Sequence, residues 1–500
     1  MATTTLAWVL FGAYLLFTTG LALRGVKKTR SFSGFALGNG DLGPLVVGIT
    51  LAAAIASTAT FVINPGFVYA AGVAALLHHG VAAYGGVMIG LVIFSAGFRK
   101  LGMAEGALTL PHWIYVRYRS RALRTYFATF NLLVAITFVV LIVKGSALVM
   151  QATLGLGYLA SLVLIVGFVF SYIMLGGTYA HVYTNAFQGG LMVIVALVVF
   201  GSGLPLLGDG LGPFLDRLAA IDAQLVTPVN TTAPFFDTPF TVFVAGFVVG
   251  LGLVAQPHVL TKALYLRSDR DLGRYFVFGI AVCVVYALVL ATGLYARLVL
   301  PEPVAQDAVV PAYIAHAFPP WVGAPVAVAL LAAGMSTLDG ILVSASTIAA
   351  NDVFLGALAR RRMAEASDEE RSRLALAASR YVLVGMGVAA FLIAVDPPRL
   401  VGIFAQWGVY GLVSASLIPI GLGVLWTGMG ARAAAAAAVV GPVVHFGYYG
   451  YVTVGLGQAL NPAVSATFGI VASLLAALAA SAFAPRAAAA QALSDEGSRA

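Results

Sequence analysis

A chain of 500 residues that is 61% hydrophobic and 9% charged, with a mean hydropathy of +0.98, is a polytopic membrane protein and not a water-soluble globule. The single cysteine, Cys283, lies in an apolar run and excludes a disulfide framework or a thiol pair for a metal. The net charge of +8 comes from basic residues clustered in short loops between apolar spans, where they orient the chain and do not mark a nucleic-acid partner.

The first apolar segment, LAWVLFGAYLLFTTGLAL, is followed and not preceded by Arg24, Lys27, Lys28 and Arg30, so it reads as a retained helix that starts outside the cell. At about 20 residues per crossing, the chain divides into thirteen spans, 6–23, 43–72, 74–98, 124–150, 157–178, 184–206, 238–262, 274–300, 322–350, 376–395, 400–428, 433–453 and 462–484. The loops RGVKKTR, RKLGMAEGALTLPHWIYVRYRSRALR, LRSDRDLGR and ARRRMAEASDEERSR then share one side, which makes that side cytoplasmic. Loop 206–238, with Asp209, Asp216, Asp222 and Asp237, falls on the other. This places the N-terminus outside and the C-terminus inside, in the plasma (bacterial inner) membrane. Thr109–Arg124, mixing aromatics with arginines, is expected to lie at the cytoplasmic interface as an amphipathic helix. Residues 486–500 are expected to form a disordered tail.

Two spans are interrupted by proline at membrane depth, the second at Asn64-Pro65-Gly66 and the seventh at Ala255-Gln256-Pro257-His258. Either alone reads as a kink. As a pair they open two successive five-helix halves, and matched broken helices point to the binding site of a transporter. In the ninth span, LLAAGMSTLDGILVSAS sets Ser336, Thr337 and Asp339 near mid-membrane.

These segments are similar to the sodium:solute symporter family. The resemblance rests on SFSGFALGNGDLGPLVVGITLAAAIAS leading to PGFVYAAG, on LTLPHWIYVRYRSRALR, LGGTYAHVYTNAFQG, AQPH and MSTLDG, and on WGVYGLVSASLIPIGLGVLWTGMG, in that order. It implies an all-α, LeuT-like transporter domain over 1–485. Inverted five-helix repeats would cover about 43–206 and 238–428, with discontinuous first and sixth core helices, and 6–23, 433–453 and 462–484 would be additional helices.

The resemblance also implies a coupling Na⁺ held by the carbonyls of Ala53, Ala56 and Ala333 and the hydroxyls of Ser336 and Thr337. Neutral oxygens suit a hard cation that must leave again. Relatives place the solute beside the broken helices, which indicates Ser57, Gln256 and Pro257. The aromatic positions of the proline carriers correspond to Phe138, Val249 and Leu253, and only the first is aromatic here, which argues against proline. His78 and His79 are the strong polar groups of the third span. Lys144, an ammonium in an apolar run, has three readings: a contact for a carboxylate solute, a partner of a protein acid, or a side chain reaching out to the interface.

Some family members hold another sodium ion near an aspartate whose place is Asn185 here, while Asp339 replaces a hydroxyl. The two together indicate a second cation site or a proton site. The expected function is sodium-coupled symport of a small organic solute, a carboxylate or amino acid, by alternating access. The alternatives are a proton-coupled carrier on the same fold and a solute-sensing membrane domain. No metal cluster, P-loop or nucleophile motif points to an enzyme. The expected partners are the solute and the bilayer, with no nucleic acid and no obligate protein partner.

Overall fold

The computed structural model describes residues 2–28, 32–37, 42–358, 366–398 and 400–482. The expected disordered tail, 486–500, lies outside the described residues. Among those described there are helices and no strand, apart from one isolated bridge between Leu42 and Leu266. Ten helices are long and apolar enough to cross a membrane, and two bent pairs raise the number to twelve. The remaining expected position, the fifth span, is held by the shorter apolar helix Tyr158–Met174. A break at Gly177 (φ 54°, ψ −140°) separates it from the next long helix, Gly177–Ser202. Only glycine adopts that backbone without strain, and a side chain there would also strike the ring of Phe35.

Helix Pro320–Ile348 runs through the centre of the bundle, with every residue from Val326 to Val343 buried. It presents no continuous face to lipid. Ser336, Thr337 and Asp339 therefore face protein, the environment in which polar groups survive at membrane depth.

The two bent pairs are Pro44–Ile55 with Ala59–Ala71, bent by 54°, and Phe240–Leu253 with Pro257–Tyr265, bent by 62°. The second break falls where the sequence placed it. Gln256 is extended (φ −72°, ψ 139°), and Pro257, with no N–H to satisfy, opens the next half-helix. The first break falls earlier than expected. The helix ends at Ala56 (φ −85°, ψ 89°), and Ser57 Oγ accepts the N–H of Ala59 at 3.0 Å to start the next segment. Asn64 and Pro65 lie inside that segment, so the chain breaks at Ala56–Thr58 and not at the proline.

The basic loops are tied together at one end of the bundle. The Leu42 amide donates to the Tyr265 carbonyl at 3.2 Å, Arg99 pairs with Asp269 at 2.7 Å, and Arg124 pairs with Asp352 at 2.6 Å. Thr109 donates to the same Asp352 at 2.6 Å. The segment expected to lie at the interface is instead drawn into the protein. Its helix covers only Leu110–Tyr118, where Trp113 is fully buried, stacks on Phe98 and donates to the Phe98 carbonyl at 3.0 Å. Arg117 donates to the carbonyls of Gly423 (2.7 Å) and Trp426 (2.9 Å) at a helix C-terminus. Those carbonyls have no amide of their own helix to accept from, which accounts for the inward pull.

Candidate functional site

Helix Pro44–Ile55 stops within reach of the central helix, and its last turn leaves carbonyls without the amides a continuing helix would supply. Ala53 is one of these residues. Its carbonyl accepts from Ser336 Oγ at 3.0 Å and from Thr337 Oγ1 at 3.1 Å. The same hydroxyls reach the Ala333 carbonyl at 3.0 and 3.5 Å. Four of the five residues expected around sodium thus form one buried cluster of oxygens, linked across 283 and 284 positions of chain. The fifth, Ala56, caps the same half-helix one turn on.

Beside this cluster lies a second polar chamber. Asp339, fully buried, accepts from Tyr172 Oη at one carboxylate oxygen and from Thr184 Oγ1 at 2.9 Å at the other. Asn185 follows Thr184 in the chain, and its amide nitrogen donates to the Ser336 carbonyl at 3.1 Å, joining the chamber to the first cluster. The Asn185 side-chain oxygen is buried without a hydrogen-bond partner. Asp339 and Asn185, linked in the sequence only by an exchange of residue types, therefore occupy one space. Sequence reasoning missed the rest of this chamber: Tyr172, Thr184, His181 and Lys262. Tyr172, Thr184 and His181 lie around the break at Gly177, and Lys262 lies beyond the break at Gln256.

A cavity of about 120 Å³ opens beside the two breaks. Ser57, Phe138, Leu253 and Gln256, all expected near the solute, line it, and Pro257 lines an adjoining recess shared with Phe138 and Gln256. Val249 is buried in the core behind them. His79 lines the cavity, whereas His78 turns away and bonds to the Thr241 carbonyl through Nδ1 at 2.9 Å. Thr60, Asn64, Tyr84 and Gln406 add hydrogen-bonding groups the sequence did not single out. No Lys, Arg, Asp or Glu is among the lining residues.

Lys144 is not part of that wall. Its ammonium donates to Asp307 at 2.8 Å and to the Pro398 carbonyl at 3.3 Å, so of its three readings the structure bears out the pairing with a protein acid. Nor does Lys144 pair with Asp339, whose hydrogen-bond partners are Tyr172 and Thr184.

The model of the sodium:solute symporter family matches residues 35–441. The chain is 28% identical over 438 residues to a sodium/pantothenate symporter of Haemophilus influenzae, covering 86% of this chain and 87% of that one. It is 26% identical over 457 residues to a sodium/proline symporter of Staphylococcus aureus, covering 87% and 84%. Among solved structures, the outward-open state of a Na⁺-coupled sialic acid symporter superimposes with a TM-score of 0.74 at 18% identity, covering 96% of this chain and 98% of that one. A nucleobase-cation-symport-1 transporter in a closed conformation follows at 0.56 and 13% identity, covering 90% and 94%. These two share the fold. The chain belongs to the sodium:solute symporter family, and it is a membrane transporter, not an enzyme, that couples Na⁺ to the symport of a small organic solute.

Proposed function

We propose that the coupling sodium ion binds where the first broken helix meets the central helix, held by the carbonyls of Ala53, Ala56 and Ala333 and the hydroxyls of Ser336 and Thr337. The observation that carries this reading is the convergence of two adjacent hydroxyls on the carbonyl of Ala53 in the last turn of the broken helix. On binding, the ion takes over oxygens that now satisfy one another, so the site need not unfold to empty or refill. Because the ion bridges a broken helix and an unbroken one, its departure loosens their contact, and this is the physical link between ion release and alternating access. Asp339 and Asn185 mark a second cation-attracting or proton site beside the first.

The solute occupies the cavity beside both breaks. Its wall, mostly apolar with neutral donors and acceptors, suits a small solute with an apolar body and several hydrogen-bonding groups. The pantothenate and proline carriers among the relatives favour a carboxylate or amino acid. His79, Gln256 and Ser57 are among the donors available to it, with Thr60, Asn64, Tyr84 and Gln406. Lys144 is withdrawn to Asp307 and does not supply the countercharge.

The N-terminus faces outward and the C-terminus inward across the plasma membrane. Support comes from the basic loops tied together at one end, which the positive-inside bias assigns to the cytoplasm. The test is uptake into proteoliposomes across a labelled panel that includes pantothenate, proline and neutral sugars, under an imposed sodium or proton gradient. Sodium-driven accumulation of a carboxylate or amino acid supports the reading. Accumulation driven by protons alone would replace it with the proton-coupled alternative.

A further inference from the structure

The recess that adjoins the solute cavity measures about 30 Å³, enough for a hydroxyl or amide group and too small for a whole solute. Phe138, Gln256, His258 and Val409 line both spaces, so the two meet at these side chains. The wall away from the cavity comes from Asn131 of helix Arg121–Leu154 and from Ile341, Ser344 and Ile348 of the central helix. Asn131 is 4% exposed. Its amide nitrogen donates to the Phe127 carbonyl one turn back at 2.7 Å, which fixes the orientation of the amide, and its Oδ1 is left buried without a partner.

A buried acceptor of this kind is satisfied by a donor from the chain, from water or from a ligand, and here the chain supplies none. Gln256, at the junction, has its amide nitrogen on the Leu253 carbonyl at 3.1 Å, which leaves Oε1 as a second acceptor. His258 and Ser344 add groups that accept as readily as they donate. No Lys, Arg, Asp or Glu is among the residues lining the recess. A carboxylate placed there meets lone pairs and no cation, whereas a hydroxyl or an amide N–H meets the oxygen that lacks a donor.

We propose that the recess is a specificity subsite for a neutral hydrogen-bond donor of the solute, a hydroxyl or an amide N–H, with Asn131 Oδ1 as its acceptor. The carboxylate end stays in the cavity, where Ser57, His79 and Gln406 offer donors, and the solute lies across the junction at Gln256 and His258. The transported class is then a carboxylate that carries a hydroxyl or amide some atoms away, and a plain alkyl carboxylate is a poor substrate. A site built to pair with such a donor discriminates against the analogue that lacks it, because the buried oxygen stays unpaired. This inference rests on the carboxylate reading of the solute and deepens it.

The test is equilibrium binding to the purified full chain in saturating sodium, followed by calorimetry, with matched pairs of probes: hexanoate against ω-hydroxyhexanoate, and norleucine against ω-hydroxynorleucine. In the wild type the hydroxylated member is expected to bind about 10-fold or more tighter than its plain partner. In Asn131→Leu, which keeps the bulk and removes the acceptor, the hydroxylated member should weaken to the level of its partner while the plain member binds as before. Asn131→Ala is measured in parallel, so that poor folding of the Leu variant leaves the answer intact, and should lose the same preference. A purely structural role for Asn131 would weaken both members of a pair alike. Equal binding of the two members by the wild type, or a preference that survives in a folded Asn131 variant, overturns the subsite while leaving the carboxylate reading standing. A wild type that binds neither pair overturns the carboxylate reading itself.

Discussion

Thr337 Oγ1 and the carbonyl of Ala53, 284 positions apart in the chain, stand 3.1 Å from each other where the first broken helix meets the centre of the bundle. Neither group needs the other for secondary structure, since the Ala53 carbonyl belongs to a helix end and the hydroxyl has the Ala333 carbonyl one turn back within 3.5 Å. The contact joins the broken helix to the central helix through oxygens a hard cation can share.

The pair of Lys144 and Asp307 ties a core helix to an outer loop, with both side chains largely buried at 12% and 10% exposure. Lys144→Gln leaves a buried carboxylate unpaired, and turnover is expected to fall by about 10-fold or more. Asp307→Asn in the same chain is expected to recover most of it. Measuring initial uptake rates in the two single variants and the double variant checks this. If Lys144→Gln instead raises the half-saturating solute concentration and the double variant does not recover, Lys144 touches the solute.

His79 presents a buried ring at the cavity wall with Nε2 unpartnered, while His78 is bonded to the Thr241 carbonyl. His79→Ala is expected to weaken solute binding by about 10-fold, the effect of losing one buried hydrogen bond. Sodium binding in the absence of solute should stay unchanged. Titrations of solute and of sodium, run separately, distinguish this from a general loss of fold, which would lower both.

Trp113 is fully buried, stacked on Phe98 and bonded to its carbonyl. Trp113→Ala is expected to cost about 3–5 kcal/mol, as truncations of large buried aromatics do. A thermal-shift measurement in detergent should show a clearly lowered midpoint. A helix merely resting on the membrane surface would give almost no shift.

The positions of Ser336, Thr337, Gln256 and Pro257 were legible in the sequence because hydroxyls and prolines inside apolar spans stand out against their neighbours. The first break was misplaced because Ala56-Ser57-Thr58 carries no breaker residue, while Pro65 seven positions later does; a proline early in a helical segment costs little. Lys262 went unnoticed for a geometric reason. It closes the apolar run 238–262, where a lysine reads as the edge residue of a span, whereas in the structure it is fully buried with its ammonium 2.8 Å from His181. Tyr172 and Thr184 belong to residue types common in any span, so nothing but their three-dimensional approach to Asp339 distinguishes them.

Asp339 and Asn185 share one chamber through Thr184 and the Ser336 carbonyl. Asp339→Asn removes the carboxylate that accepts from Tyr172 and Thr184 in this buried chamber and is expected to reduce transport severely. Adding Asn185→Asp returns a carboxylate to the same chamber and should restore a measurable part of the rate. Uptake in the two variants checks this, and no recovery in the double variant would mean that the position of the charge, and not its presence, is what matters.

The sodium dependence of solute uptake in Thr337→Ala, compared with the wild type at equal amounts of reconstituted protein, bears most directly on the central claim. Loss of one oxygen ligand should raise the half-saturating sodium concentration by about 10-fold or more, with Thr337→Ser close to the wild type. An unchanged sodium dependence in a well-folded Thr337→Ala carrier would contradict the placement of the ion between the broken helix and the centre of the bundle.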